Sequence, residues 1–209
     1  DIFTRMYGPA DGRGHITQAI GETGMSAYLG ADILRAAPMR YSSTVEYPEN
    51  PISLSLRDAA QVMFADVGTR IFYATHGGYD THAGELVNHG RLLAELSVGI
   101  EAFYADLTEH GRENDVAILV FTEFGRRVKD NGSGTDHGSG GMSFVIGGRI
   151  EGGFYGEYPS LDPRDQVEGD MAFNNDFRGI YATLLDQWMG VDPVPVLGEN
   201  YEQFDMFGG

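Results

Sequence analysis

The sequence predicts an α/β fold built on a mainly parallel sheet, and three observations carry that reading. Val116-Ala117-Ile118-Leu119-Val120-Phe121 is a short apolar run bounded by Glu113-Asn114-Asp115 and by Thr122-Glu123. Such a run suits a strand buried on both faces. Thr69-Arg70-Ile71-Phe72-Tyr73-Ala74-Thr75 is a second strand candidate, rich in β-favouring side chains. Between them, from about Glu85 to Glu109, Leu86, Leu92, Leu93, Leu96, Ile100, Phe103, Tyr104 and Leu107 recur at helical spacing, and Gly111 stops the helix. Strand, helix, strand is a βαβ unit, whose two strands run parallel and lie close together.

The remaining elements are placed in order. His15 to Ala37 has helical spacing weakened by Gly21, Gly24 and Gly30, and residues 1–50 form an irregular or helical lead-in. Ser53 is a candidate cap for a helix running to about Asp66. Residues 69–190 hold the α/β core. After the central strand comes the glycine-rich loop Asn131-Gly132-Ser133-Gly134, then a short apolar run from Met142 to Ile146. Gly147-Gly148 and Gly152-Gly153 bracket a hairpin with Phe154-Tyr155 in its second arm. Asn174-Asn175-Asp176 caps a helix from about Phe177 to Met189, ended by Gly190. Residues 191–209 read as a tail that wraps the surface.

Composition narrows the function. With 209 residues and 42% hydrophobic content the chain can bury a core as a single domain, or as the C-terminal part of one. Its net charge is −17, from 31 acidic against 14 basic residues, which opposes nucleic-acid binding. No run approaches the roughly 18 to 20 apolar residues of a membrane span. Cysteine is absent, so disulfides and thiolate metal sites are excluded. The opening Asp1-Ile2-Phe3 is neither an initiator methionine nor a signal peptide, which leaves two expectations: a removed leader, or the later part of a longer polypeptide.

The chemistry gathers after the two strands. His76-Gly77-Gly78-Tyr79-Asp80-Thr81-His82 follows the first, and Thr122-Glu123-Phe124-Gly125-Arg126-Arg127 follows the second, with Thr135-Asp136-His137-Gly138 beyond the glycine-rich loop. Parallel strands would bring both ends to one edge of the sheet, where ligands bind in open α/β folds. Asp80, His82, Glu123, Asp136 and His137 are therefore the candidate metal ligands. Carboxylate plus imidazole suits zinc, manganese or iron, and carboxylates alone suit magnesium or calcium. His76 is a candidate ligand or support. The plainer reading makes Asp80 a turn cap, has His82 hydrogen-bond the backbone, and makes Asp136 and His137 a hydrogen-bonded pair that pins the loop. Arg126 could hold a phosphate or sulfate oxygen, or pair with Glu123 or Asp136 instead. Asp176 and Arg178 read as a helix cap and its first turn. The loop lacks the P-loop lysine and serine, and no GxSxG elbow is present, so no catalytic nucleophile is identified.

Taken in order, Gly77-Gly78-Tyr79-Asp80-Thr81-His82, Thr122-Glu123-Phe124-Gly125-Arg126, Gly134-Thr135-Asp136-His137-Gly138, Gly152-Gly153 and Asp176-Phe177-Arg178 resemble the bacterial domain-of-unknown-function family 1501. The resemblance covers roughly residues 69–201 and corresponds to the C-terminal half of that family's usual length. Members are often described as sulfatase-like and grouped with the alkaline phosphatase-like superfamily. The resemblance implies a three-layer αβα fold, a two-metal hydrolase site and export by the twin-arginine route, hence an extracytoplasmic location. It aligns Asp80 and His82 with ligands of one metal, and Glu123 and His137 with ligands of the other. The superfamily usually carries an Asp-His pair where this chain has Glu123-Phe124. Its first metal ligand and nucleophile lie in an N-terminal strand and helix with no counterpart in residues 1–50.

The function expected on these grounds is a metal-dependent hydrolase of phosphate or sulfate esters. The metal would be zinc, manganese, magnesium or calcium, and the substrate an anionic small molecule or polysaccharide ester. An N-terminal half or another chain is the expected partner. The rival is a non-catalytic extracytoplasmic binding or structural protein on the same scaffold.

Overall fold

The computed structural model describes residues 15–207. The chain divides into two compact units. Among the described residues, one comprises those up to His76 together with Glu95–Asp106, and the other comprises Gly77–Ala94 together with those from Leu107 onward.

In the first unit, α1 spans His15–Arg40 as one helix that tolerates its internal glycines and Pro38. The second helix, α2, spans Pro51–Phe64. Its cap is Asn50, whose side chain accepts a hydrogen bond from the Ser53 backbone N–H at 2.9 Å. Pro51 takes the first helical turn, where its missing N–H leaves nothing unpaired. Ser53 is instead fully buried inside the helix. It faces Gly99 of α3, the helix Glu85–Glu109. A Cβ on Gly99 would lie 2.8 Å from Ser53 Oγ, so the absence of a side chain sets how closely these helices approach. Further along α3, the buried Asp106 accepts hydrogen bonds from the hydroxyls of Tyr41 (2.5 Å) and Tyr47 (2.7 Å). Burial first, and then the Asp106 carboxylate, pushes Tyr41 up to about 12 and raises Tyr47 as well.

The boundaries of α3 match the sequence pattern, but its covered face is narrower. Leu92, Gly99, Ala102, Phe103, Asp106 and Leu107 are buried. Leu86 is 92% exposed and Leu93 is 45% exposed. At about 100° per residue, those two leucines lie about a quarter-turn or more from the middle of the buried face. Leu96, expected in the stripe, is only half-buried.

In the second unit, β1 is Ile118–Val120 and β4 is Phe144–Ile146, while β2 is Gly125–Asp130 and β3 is Thr135–Gly138. Strand β1 pairs antiparallel with β4, with Leu119 opposite Val145. Strand β2 pairs antiparallel with β3. Among the described residues these are the two sheets. Thr69–Thr75 forms no strand, and Ile71 and Tyr73 stand 71% and 77% exposed. The βαβ pairing inferred from the sequence is therefore not formed. Apolar character makes a segment suitable for a sheet, but a strand also needs a neighbour for its backbone donors and acceptors.

The Phe154-Tyr155 hairpin is likewise not formed. Ile150 bridges antiparallel to Phe207, and the Glu151 N–H donates to the Met206 carbonyl at 2.9 Å. Met206 and Phe207 are buried, with the Phe207 ring stacked 5.5 Å from that of Trp188. The end of the tail thus enters the core of its unit instead of wrapping the surface. Before it, α4 (Arg178–Thr183) continues into one π-helical turn over Leu184–Trp188, and Val194–Leu197 forms the short α5.

Candidate metal centre

The site is built by the β2–β3 hairpin and the turn that precedes α3. In the hairpin, Arg126 lies opposite His137 and Asp130 opposite Thr135. Arg127, Val128 and Lys129 therefore lie against the single residue Asp136, a bulge that bends the ribbon. Asn131 organises the connecting loop. Its Oδ1 accepts from the backbone N–H groups of Ser133 (3.1 Å) and Gly134 (3.0 Å). Its Nδ2 donates to the His82 carbonyl and to Asp136 Oδ1, each at 3.2 Å. Gly134 makes this docking sterically possible. A Cβ there would lie 2.7 Å from the Thr81 carbonyl oxygen and 3.0 Å from the His82 carbonyl carbon. A side chain would push the loop off the 81–82 turn.

Asp80, His82 and His137 converge as a result. Asp80 Oδ1 lies 2.6 Å from His137 Nε2 and 2.8 Å from His82 Nε2. One ligand atom from each of the three residues falls within 4.8 Å of the others, and all three residues are exposed. The hydrogen bond from His137, with smaller contributions from the nearby imidazoles and Arg126, holds the Asp80 carboxyl below its usual value. Asp136 sits behind His82, its Oδ1 3.2 Å from Nδ1. The Asn131 amide and then His82 lower its carboxyl as well. The His137 ring lies nearly parallel to Phe124, with 3.9 Å between ring centres and 7° between planes. The guanidinium of Arg126 covers the Phe124 ring at 5.1 Å.

The other expected site residues take different positions. Glu123 is exposed and outside the three-residue ligand group. Arg126 is directed neither at Glu123 nor at Asp136. It donates to the carbonyls of Thr135 (2.7 Å) and Tyr79, and lies 3.9 Å from Glu85 and 4.0 Å from Asp80. These contacts tie the 79–80 turn to the hairpin. His76 belongs to the first unit, where its Nε2 is 3.4 Å from Glu95. Asp176 pairs with Arg178 through side chain and backbone, which holds its carboxyl down to about 2. The sequence reading of Asn174-Asn175-Asp176 as the cap is corrected in part: Phe177 is the N-cap and has no side-chain cap bond, while Asp176, one residue earlier, accepts from the Arg178 N–H.

Phe124 and the Asn131 side chain were not among the candidates. An aromatic residue beside Glu123 looks like strand core in the sequence, and its stacking on His137 depends on the hairpin register. An asparagine before glycine signals a turn, which conceals its second role toward His82.

Two imidazoles and one carboxylate form a donor set that suits zinc, manganese or iron. Magnesium and calcium favour oxygen ligands throughout. Three candidate ligands on an exposed surface would leave coordination positions open.

Among the described residues, no helix is long and apolar enough to cross a membrane. No curated protein and no solved structure gives a significant match to the chain. The family model described as "Protein of unknown function (DUF1501)" matches residues 39–196. That span contains Asp80, His82, Asn131, Asp136 and His137, and the chain belongs to the DUF1501 family.

Proposed function

We propose that this protein is a metal-dependent hydrolase of phosphate or sulfate esters, centred on Asp80, His82 and His137. The observation that carries the metal reading is the convergence of one carboxylate oxygen and two imidazole nitrogens within 4.8 Å. The ester class rests on the sulfatase-like resemblance, as do the alkaline phosphatase-like scaffold and the extracytoplasmic location. A divalent ion bound there would lower the pKa of a coordinated water and polarise the ester oxygen. Asp80 would supply the negative charge that retains the cation, and the two histidines would fix its position. Arg126, adjacent to Asp80, would offset charge on an ester oxyanion. Its two carbonyl contacts would preorganise that cation against the site.

The test begins with metal analysis of the purified protein after exposure to zinc or manganese. Hydrolysis of an aryl phosphate and an aryl sulfate is then assayed with and without chelator. The expected result is one bound ion and chelator-sensitive hydrolysis of at least one ester, both lost in His137→Ala. Protein that takes up no ion would end the metal reading. A second reading, a non-catalytic scaffold that keeps one ion, is favoured by the openness of the cluster, where the Asp80 side chain is 61% exposed. Stoichiometric binding without hydrolysis of either ester would select it.

A further inference from the structure

We infer that Asp136 is not a metal ligand but the positioning residue for His82, and that Asn131 holds Asp136 in place. This rests on the metal reading above and assigns the supporting shell of the same site. The argument starts from the two faces of the His82 ring. Nε2 meets Asp80 Oδ1 at 2.8 Å, on the side shared with His137. Nδ1 meets Asp136 Oδ1 at 3.2 Å, on the other side. An ionised carboxylate can only accept, so Asp136 keeps a proton on Nδ1, and an ion shared with Asp80 would then meet the lone pair of Nε2. Carboxylate support of a metal-binding imidazole in this manner sets the tautomer, the ring orientation and the ligand's basicity.

Asn131 completes the relay, and its orientation is fixed by the backbone. Because Oδ1 accepts from the Ser133 and Gly134 N–H groups, the NH₂ end must face the other way. It reaches both Asp136 Oδ1 and the His82 carbonyl at 3.2 Å. One amide therefore joins the hairpin loop, the supporting carboxylate and the backbone of the supported histidine. His137 is held differently, by Phe124 stacking and by Asp80. Both imidazoles meet Asp80, while the Asp136 carboxylate meets Nδ1 of His82, so Asp136 substitutions act on the centre through His82.

The experiment is titration of the full chain with zinc against a chromophoric chelator, paired with cobalt(II) absorption spectra. His82→Ala should abolish stoichiometric binding. Asp136→Ala should retain one ion with affinity about 10- to 100-fold weaker, and its cobalt bands should match wild type because the ligand atoms are unchanged. Asp136→Asn keeps an oxygen that accepts from Nδ1–H and should restore part of the loss. Asn131→Ala should weaken binding by less than Asp136→Ala. Circular dichroism establishes that each variant is folded, as expected for exposed side chains. If Asp136→Ala loses the ion as completely as His82→Ala, or shifts the cobalt bands, Asp136 is a ligand and the inference is overturned. Unchanged affinity in Asp136→Ala also overturns it and leaves the metal site intact. A wild-type protein that binds neither ion fails the metal reading itself, and the inference falls with it.

Discussion

Asp80 is the residue on which the charge of the centre turns, because it faces two imidazoles and lies within 4.0 Å of a guanidinium. The folded state holds both Asp80 and Asp136 below the ordinary carboxyl value of 3.8. A depressed folded pKa means that the unfolded chain takes up protons first as pH falls. The stability these residues contribute is therefore fully present above the ordinary value and is lost as pH drops through their lowered folded values. Urea midpoints measured across this acid range should fall less steeply in an Asp80→Asn/Asp136→Asn double variant than in wild type. Parallel acid limbs would remove both carboxylates from the balance. Arg126 is the other decisive residue. Arg126→Ala should release the Tyr79 and Thr135 carbonyls and weaken zinc binding. Arg126→Lys should not rescue it, since one ammonium cannot reproduce the guanidinium fork. Unchanged zinc affinity with slowed ester hydrolysis would instead assign Arg126 to the substrate.

At the scale of elements, the hairpin and α3 make separable predictions. Gly134→Ala meets backbone atoms at 2.7 and 3.0 Å, which cannot rotate aside as a flexible side chain would. It should weaken zinc binding through displacement of the loop, with little change in helix content by circular dichroism. Wild-type affinity in this variant would show that the docking of the loop is dispensable. In α3, Leu107 is fully buried whereas Leu86 is 92% exposed. Leu107→Ala should cost about 2 to 5 kcal/mol, and Leu86→Ala should fall within about 0.5 kcal/mol of wild type. Denaturant unfolding measures both, and equal losses would contradict the narrow buried face. The sequence alone does not separate these leucines, since both obey helical spacing. Only the cover available on each side of the helix distinguishes them.

At the scale of the whole molecule, the sequence by itself determined what depends on neighbours a few residues away. The limits of α3, the stop at Gly111, and the pairing of Asp176 with Arg178 all follow from periodicity, turn chemistry and short-range contacts. The family was also legible, through motifs read in order, and the family match extends over residues 39–196. Asp80, His82 and His137 were nameable as candidates because few residue types bind metals. The tertiary structure decided everything that required choosing a distant partner. It paired β1 with β4 and left Ile71 and Tyr73 exposed, although both segments have strand-like composition. It brought Met206 and Phe207 into a core where the sequence suggested a surface tail. It kept Glu123 outside the ligand group, placed Asp136 behind His82, and directed Arg126 to carbonyl oxygens. The physical reason is common to these cases. Apolar and charged side chains record what kind of environment they require, while register, bulges and close backbone approach select which residue supplies it.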